Sequence, residues 1–436
     1  MIYQKQLEVK YETDILVVGG GAAGVTAAIA AARMGKRVLI IESGGCFGGV
    51  GTTGMVPAFC TFGDGVNRLS DGIGWEIRSK VCPENINARG GGAFQAETLK
   101  RAYDDAIAEA GVEFLFFTTL ADAVARDGHI EYVVLTSKSG MYAVKAKVYL
   151  DCTGDGDFTA IAGGAFELGN EEGKTMPPSV CSLWTDFDNG AYRTVNIPEK
   201  LEQAFADGDV FTYEDRHLTG LCHRLADELG GGNIGHIFGT DPIDMRSISD
   251  AMVWGRKSLL EYQNFYRRYV AGCENIKLVE NANMLGVRES RRIVCDYMLS
   301  VDDFRAKANF DDEIGRYCYP VDIHVMDTSP EEMERFKREF RSNLRYGDGE
   351  SYGIPYRSLV PVSFDNLLTA GRCLGADRQM EASIRVMPGC FITGQAAGTA
   401  AALSLDKDGE VRSVDPSRLQ RELKKAGAYL RPGLGE

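Results

Sequence analysis

DILVVGGGAAGVTAAIAAARMGKRVLIIE, residues 14–42, holds the pattern that decides the fold. An apolar run, Ile15–Val18, meets Gly19-x-Gly21-x-x-Gly24. A helix pattern built from small residues follows, then a second apolar run, Val38–Ile41, ending on Glu42. Strand, turn, helix, strand and acid in that order read as a βαβ unit that binds a dinucleotide. Gly19 suits the tight turn after the first strand. Gly21 lets a pyrophosphate approach the backbone, and Gly24 lets the helix pack close to the strand. The helix N-terminus offers N–H groups to phosphate. Glu42 stands where a carboxylate accepts from ribose hydroxyls. The bland alternative is a glycine-rich turn without a ligand, which leaves the second strand and its terminal acid unexplained.

At 436 residues the chain is long for one core, so two domains are expected. Its formal net charge of −14, with no Lys/Arg run, argues against nucleic acid or an anionic membrane as partner. No run of about 18 apolar residues is present, so no membrane span is expected. The opening residues, MIYQKQLEVKYETD, lack an apolar signal core. The eleven cysteines are scattered, with no C-x-x-C, and the five histidines never pair at ligand spacing. Free thiols, a reducing cytoplasmic setting and no metal are expected.

Residues 43–60, SGGCFGGVGTTGMVPAFC, form a glycine-dense loop able to run beside an extended ligand. The other reading is a mobile surface loop. A helix is expected over Ala96–Ala110, ended by Gly111. Strands are expected at Val112–Thr118, Ala121–Val124, Tyr132–Thr136 and Ala143–Leu150, with turns at Asp127-Gly128 and Ser139-Gly140, making a β-meander. The texture changes near 160. Long amphipathic helices and polar loops take over, one helix opening at Pro198 and another running from near Ser249 to Val270. The expected organisation is a first part over 1–160, with a loop and helix excursion at 50–95. An inserted α+β substrate domain follows over 161–285, and a return segment over 286–436. In that return, Ser329-Pro330 starts a helix, Asn366–Ala370 is a strand stopping at Gly371, and Pro388 opens a helix of small residues at its first position. Asp415-Pro416 starts a terminal helix with Leu419 and Leu423 on one face.

The fingerprint, the glycine loop, DCTGDGD at 151–157 and AGR…SIRVMPGCFITGQAAG near the C-terminus occur together in this order. In this the chain resembles the FAD-dependent oxidoreductases of the glutathione-reductase-like superfamily. The branch is the one sometimes catalogued as xanthan lyase, with fumarate reductase and succinate dehydrogenase flavoproteins as distant cousins. The resemblance implies an α/β fold: an FAD-binding Rossmann domain, with a central parallel sheet plus a β-meander, carrying the inserted domain. It implies that Gly19, Gly21, Ala22, Ala23 and Gly24 hold the pyrophosphate, and that Glu42 and Ser43 lie at the adenosine ribose. Ala121 touches adenine through its backbone, and Thr153 and Gly154 lie over the AMP half. Gly49, Thr52 and Thr53 run beside the ribityl chain and isoalloxazine. Gly371 and Arg372 approach the pyrophosphate and ribityl. The helix start at Met387 and Gly389 aims at the flavin pyrimidine, where a helix N-terminus stabilises negative charge.

Two departures matter. Better-known relatives place an acid where this chain has Arg372. No histidine for a covalent flavin link lies in 43–60, so FAD is expected to be non-covalent, with free Cys46 and Cys60. A second Rossmann fingerprint is missing, so electrons are expected to leave to oxygen, a quinone or a redox protein. The expected substrate is a small organic molecule, oxidised or reduced by hydride transfer at flavin N5. The catalytic candidates are Arg288, Arg385 and His236. Arginine clamps carboxylates, and histidine moves protons near neutral pH. Each has a structural alternative: Glu289 pairing with Arg292 on a helix beside Arg288, Glu381 pairing with Arg385, and an exposed loop for His236. Asp155 and Asp157 are read as helix caps. Two other functions stay open, an NAD-dependent dehydrogenase and a non-catalytic nucleotide-fold binding protein. Self-association is also open.

Overall fold

The apolar runs of the fingerprint pair side by side as parallel strands. In the computed structural model, which describes residues 4–82, 89–216, 221–226, 228–339 and 344–436, Val9–Val18 lies between Val38–Ile41 and Gly140–Asp151. Residues 83–88 of the expected 50–95 excursion lie outside the described residues. Glu113–Leu115 joins outside Val38–Ile41, and Leu367–Thr369 returns from far along the chain to pair with the end of Gly140–Asp151. Thr119–Arg126 and His129–Ser137 complete the seven-stranded sheet as an antiparallel meander. Both faces of the parallel part are covered, so Ile15, Leu16 and Val17 are fully buried, which an unbroken apolar run anticipates. The expected strand at Val112–Thr118 is shorter. It pairs with the parallel half, not with the meander, because its partner is Val38–Ile41.

Two helices of small residues cover one face. Gly394 and Gly398 of Met387–Ser404 press on Ala23 and Ala27 of Ala22–Arg33, where a Cβ would fall on backbone carbonyl oxygens. All eighteen residues of Met387–Ser404 are buried, so this helix shows no polar face. Val386 is its N-cap and Met387 its first residue, which places Pro388 second and not first. The terminal helix, Pro416–Lys425, packs Leu419 and Leu423 inward as expected.

A second core gathers around fully buried Trp184, Phe265 and Tyr266. A four-stranded antiparallel sheet supplies one layer, in the order Leu221–Ala226, Leu229–Gly232, Ser182–Thr185, Lys277–Asn281. The long helix Met245–Tyr269 supplies another. That helix starts four residues before Ser249, because the Asp244 carboxylate accepts from Ser247 N at 2.7 Å and caps it there. The chain then leaves this lobe through 286–290, where Gly286 bridges to Ser179. Arg291–Ile293 pairs with Phe166–Leu168, so the Glu289–Arg292 pair forms between a loop and a strand and not along a helix. Among the described residues, no helix is long and apolar enough to cross a membrane.

Candidate functional site

At the carboxyl edge of the parallel strands, Val18, Ile41, Cys152 and Ala370 line one cleft, as expected for a parallel sheet. Gly19, with φ +100°, turns the chain under the Cys152 carbonyl, where a side chain has no room. A Cβ on Gly24 would fall on the Gly19 carbonyl oxygen, so strand and helix touch. Gly21 differs. Nothing lies within 4 Å of the Cβ it lacks, and it faces the open cleft as N-cap of Ala22–Arg33. No side chain caps that helix and no acid lies in its first turn, leaving the positive dipole end free for an anion. Met387–Ser404 presents a second uncapped, acid-free N-terminus to the same cleft through Met387. The Glu42 carboxylate is held by Gly20 N at 2.8 Å and Gly44 N at 2.7 Å, so its position at the cleft wall is fixed before any ligand arrives.

Asp151 organises the opposite wall. Its buried carboxylate accepts from Thr153 N and Oγ1 and from Thr159 N and Oγ1 at 2.7–3.2 Å. These bonds fold DCTGDGD over the strand end. Asp155 and Asp157 do not cap the Asp157–Ile161 helix, whose N-cap is Gly156. Asp155 accepts from Ser290 Oγ at 2.6 Å and pairs with Arg372, while Asp157 pairs with Arg291 at 2.7 Å. Arg372 also donates to Gly154 O at 3.0 Å and to Val287 O. Its donors therefore clamp three chain segments around the cleft.

Of the expected cofactor residues, Gly19, Gly21, Ala22, Ala23, Glu42, Ser43, Gly49, Thr153, Gly154, Gly371, Arg372 and Met387 line the cleft. Gly24 and Gly389 do not. Both are packing glycines, the second lying against Ile384 O. The Ala121 side chain is exposed, and Thr118, Thr119 and Leu120 line the wall here; the contact expected of Ala121 is through its backbone. Thr52 and Thr53 line a neighbouring cavity of about 440 Å³ with Cys46, Met55, Phe94 and Leu183. The same glycine loop borders both cavities.

The catalytic candidates fall into different settings. Arg385 lines the cleft and pairs with Asp322 at 3.3 Å, not with Glu381. Arg288 is buried outside it, donating to Pro177 O, Ser179 Oγ and Asn233 Oδ1 at 2.7–3.1 Å. His236 is not on an exposed loop. It is buried, donates its backbone N–H to Asp215 and faces His324. Asp215, Asp322 and His324 were not legible as site residues, because three distant loops bring them together. Glu381 is also fully buried, and neither of its oxygens has a hydrogen-bond partner among the described residues. Burial and the nearby Glu289 carboxylate push its carboxyl well above the usual range, against the pull of Arg292 at 3.7 Å.

Residues 14–423 match the family model described as FAD dependent oxidoreductase. The chain belongs to the FAD dependent oxidoreductase family. FAD is its cofactor, and the α/β Rossmann-type sheet expected from the fingerprint is the one present. Digeranylgeranylglycerophospholipid reductase 2 of Methanothermobacter thermautotrophicus is 29% identical over 156 residues, 32% of this chain and 39% of that protein. Thiamine thiazole synthase of Methanococcus aeolicus is 27% identical over 187 residues, 40% of this chain and 66% of that one. A solved geranylgeranyl bacteriochlorophyll reductase-like protein from Thermoplasma acidophilum is 12% identical, covering 96% of this chain and 84% of its own, with a TM-score of 0.45. The similarity spans less than two thirds of each curated relative's length, so their activities stay with them. The cleft itself fits FAD. It offers an open backbone approach at Gly21, two uncapped helix N-termini for negative charge and a fixed carboxylate for ribose.

Proposed function

We propose that this flavoprotein moves a hydride between flavin N5 and a carbon of a small organic molecule held in the cavity beside the glycine loop. The single observation that carries this reading is that cavity, about 440 Å³, which meets the cofactor cleft along one loop. Its walls combine apolar Met55, Val56, Phe94 and Leu183 with polar Thr53, Gln95 and Asn283, the mixture usual for a small-molecule site. When bound, FAD supplies the redox chemistry. In this reading Gly19–Ala23 and the Ala22–Arg33 helix would hold the pyrophosphate, Glu42 and Ser43 the ribose, and Thr153, Gly154 and Gly371 the middle of the cofactor. The N-terminus at Met387 would favour the negative charge that electrons bring. Arg385 would add a fixed positive charge to the same end. Arg372 would keep the cleft walls in register, since its donors are already spent on protein.

The cofactor would be non-covalent. Neither Cys46 nor Cys60 lines the cleft, and burial pushes the Cys60 thiol up to about 11, away from a reactive thiolate. Hydride transfer from a hydroxyl- or amine-bearing carbon also releases a proton, which needs an acceptor near the substrate. The two electrons then leave to oxygen, a quinone or a redox protein. Anaerobic bleaching of the flavin by a panel of alcohols, hydroxy acids and amines tests the reading, in wild type and in Leu183→Trp. The expected result is bleaching by one class of compound, lost in Leu183→Trp at unchanged flavin occupancy. Equal bleaching in both proteins would move the substrate elsewhere.

A further inference from the structure

Four buried or half-buried groups run in a line from the second lobe to the cleft. Asp215 Oδ2 lies 3.0 Å from His236 Nδ1. His236 Nε2 lies 2.7 Å from His324 Nδ1. His324 Nε2 lies 3.5 Å from Asp322 Oδ2, and Asp322 pairs with Arg385, which lines the cofactor cleft. The two histidine side chains are 0% and 7% exposed, while the Asp322 side chain keeps 38% of its surface open. The line therefore has a sealed end at Asp215 and an open end at Asp322.

Counting protons gives this line a property that none of its members has alone. Among the described residues it contains three contacts, and each needs one proton between two heavy atoms. Both carboxylates, when ionised, bring none, and two neutral imidazoles bring two. With His236 Nδ1–H on Asp215 and His324 Nδ1–H on His236 Nε2, the missing proton is the one between His324 Nε2 and Asp322. That contact is the longest of the three. One added proton, making one imidazolium, completes all three.

The surroundings set when that proton is taken up. Burial is the largest influence on His236 and lowers its affinity against the pull of Asp215. Burial and then Arg288 hold His324 well below the usual imidazole range. The Asp322 carboxyl is held below the usual carboxylate range: burial opposes this, and the charges of Arg385 and Arg288 favour it. Among the described residues, the polar groups facing the line include Arg288, Arg385, Tyr213, whose hydroxyl donates to His236 O, Tyr319 at 3.4 Å from Asp322, Cys60 near Asp322, and Tyr262 near Asp215. Burial thus favours neutral rings, with one place for a proton between His324 Nε2 and Asp322. Extra negative charge in the cleft beside Arg385 favours filling it.

We propose that Asp215, His236, His324 and Asp322 form a one-proton relay that takes up the proton released when substrate is oxidised. It enters at Asp322 and bonds to His324 Nε2. The His324 Nδ1 proton then passes to His236 Nε2, and Asp215 holds the His236 Nδ1–H in place. Electrons go to the flavin, so the relay moves a proton only. Asp215, His236 and His324 act through Asp322 as positioning residues. This rests on the flavin reading above, and two measurements separate the failures.

The first uses the flavin-stripped full chain, with ¹⁵N-labelled histidine followed by NMR against pH. His236 and His324 are expected to share one titration that takes up a single proton, and Asp215→Asn is expected to shift both rings together. Exposed His129, beside Asp365, serves as a reference. Two independent titrations, or an Asp215→Asn effect on His236 alone, would overturn the relay whether or not FAD binds. The second is the pH slope of the flavin two-electron midpoint potential in the holoprotein, against His324→Gln. One extra proton per two electrons adds about 30 mV per pH unit to the wild-type slope. Glutamine keeps a hydrogen-bonding amide but takes up no proton in this pH range, so the extra slope is expected to vanish. Equal slopes would overturn the coupling. A protein that cannot be loaded with FAD would contradict the flavin reading and leave the NMR result to decide the relay.

Discussion

Two glycines three positions apart allow the nucleotide fingerprint to be taken apart with one methyl group. Gly21 has open space where its Cβ would stand, while Gly24 has the Gly19 carbonyl oxygen there. In Gly21→Ala, at an extended backbone with φ −71°, the fold loses only the small preference of a helix cap for glycine over alanine, about 1 kcal/mol at most. The methyl instead occupies the space a pyrophosphate needs. A hydrogen bond to a charged group contributes about 1.5–3 kcal/mol. Losing two such contacts removes about 3 kcal/mol or more, a weakening of FAD binding of roughly a hundredfold. Gly24→Ala acts the other way round. It forces the Ala22–Arg33 helix off the strand, an overpacking cost of about 1–3 kcal/mol, and lowers the melting temperature of the flavin-free protein by several degrees. The assay is thermal unfolding of both stripped variants, followed by titration with FAD using the quenching of its fluorescence. Wild-type affinity in Gly21→Ala, or a large loss of stability in that variant without ligand, would refute the reasoning.

Other consequences follow from single side chains. Arg372→Lys cannot reproduce the bonds to Gly154 O, Val287 O and Asp155, so it is expected to lower both melting temperature and FAD affinity, about tenfold or more in the latter, measured by the same titration. Glu381 has a raised folded-state pKa, so its contribution is fully present below about 4.5, the unfolded value, and is lost as pH rises toward the folded one. Glu381→Gln is thus expected to gain melting temperature over wild type progressively above that pH, and a constant difference across pH would contradict a buried neutral carboxyl. Acid precipitation of the coloured protein is expected to leave the flavin in the supernatant, and yellow retained in the pellet would point to a covalent link.

Much of the nucleotide half was legible because its signals are local. Ile15–Val18 and Val38–Ile41 are continuous apolar runs, which a parallel strand covered on both faces requires. Gly19 and Gly24 are fixed by contacts a few residues away or one strand over. The failures have physical causes of two kinds. Ser249 missed because Asp244, five residues before the expected start, caps the long helix. The relay was invisible for a different reason. His236 reads as an isolated histidine between glycine-rich stretches, and its partners Asp215 and His324 lie 21 and 88 residues away. No periodicity connects them, since the contact exists only where the second core meets the first. Arg288 drew attention as one charge in a charged run, yet its donors are spent on Pro177, Ser179 and Asn233.

The most direct test of the central claim is the visible spectrum of the purified, FAD-reconstituted protein under anaerobic conditions, with flavin quantified per chain before and after acid precipitation. The account predicts one FAD per chain, released by acid, with a spectrum that bleaches on adding an oxidisable small molecule and returns with an electron acceptor. A colourless protein that takes up no FAD at micromolar concentration would contradict it.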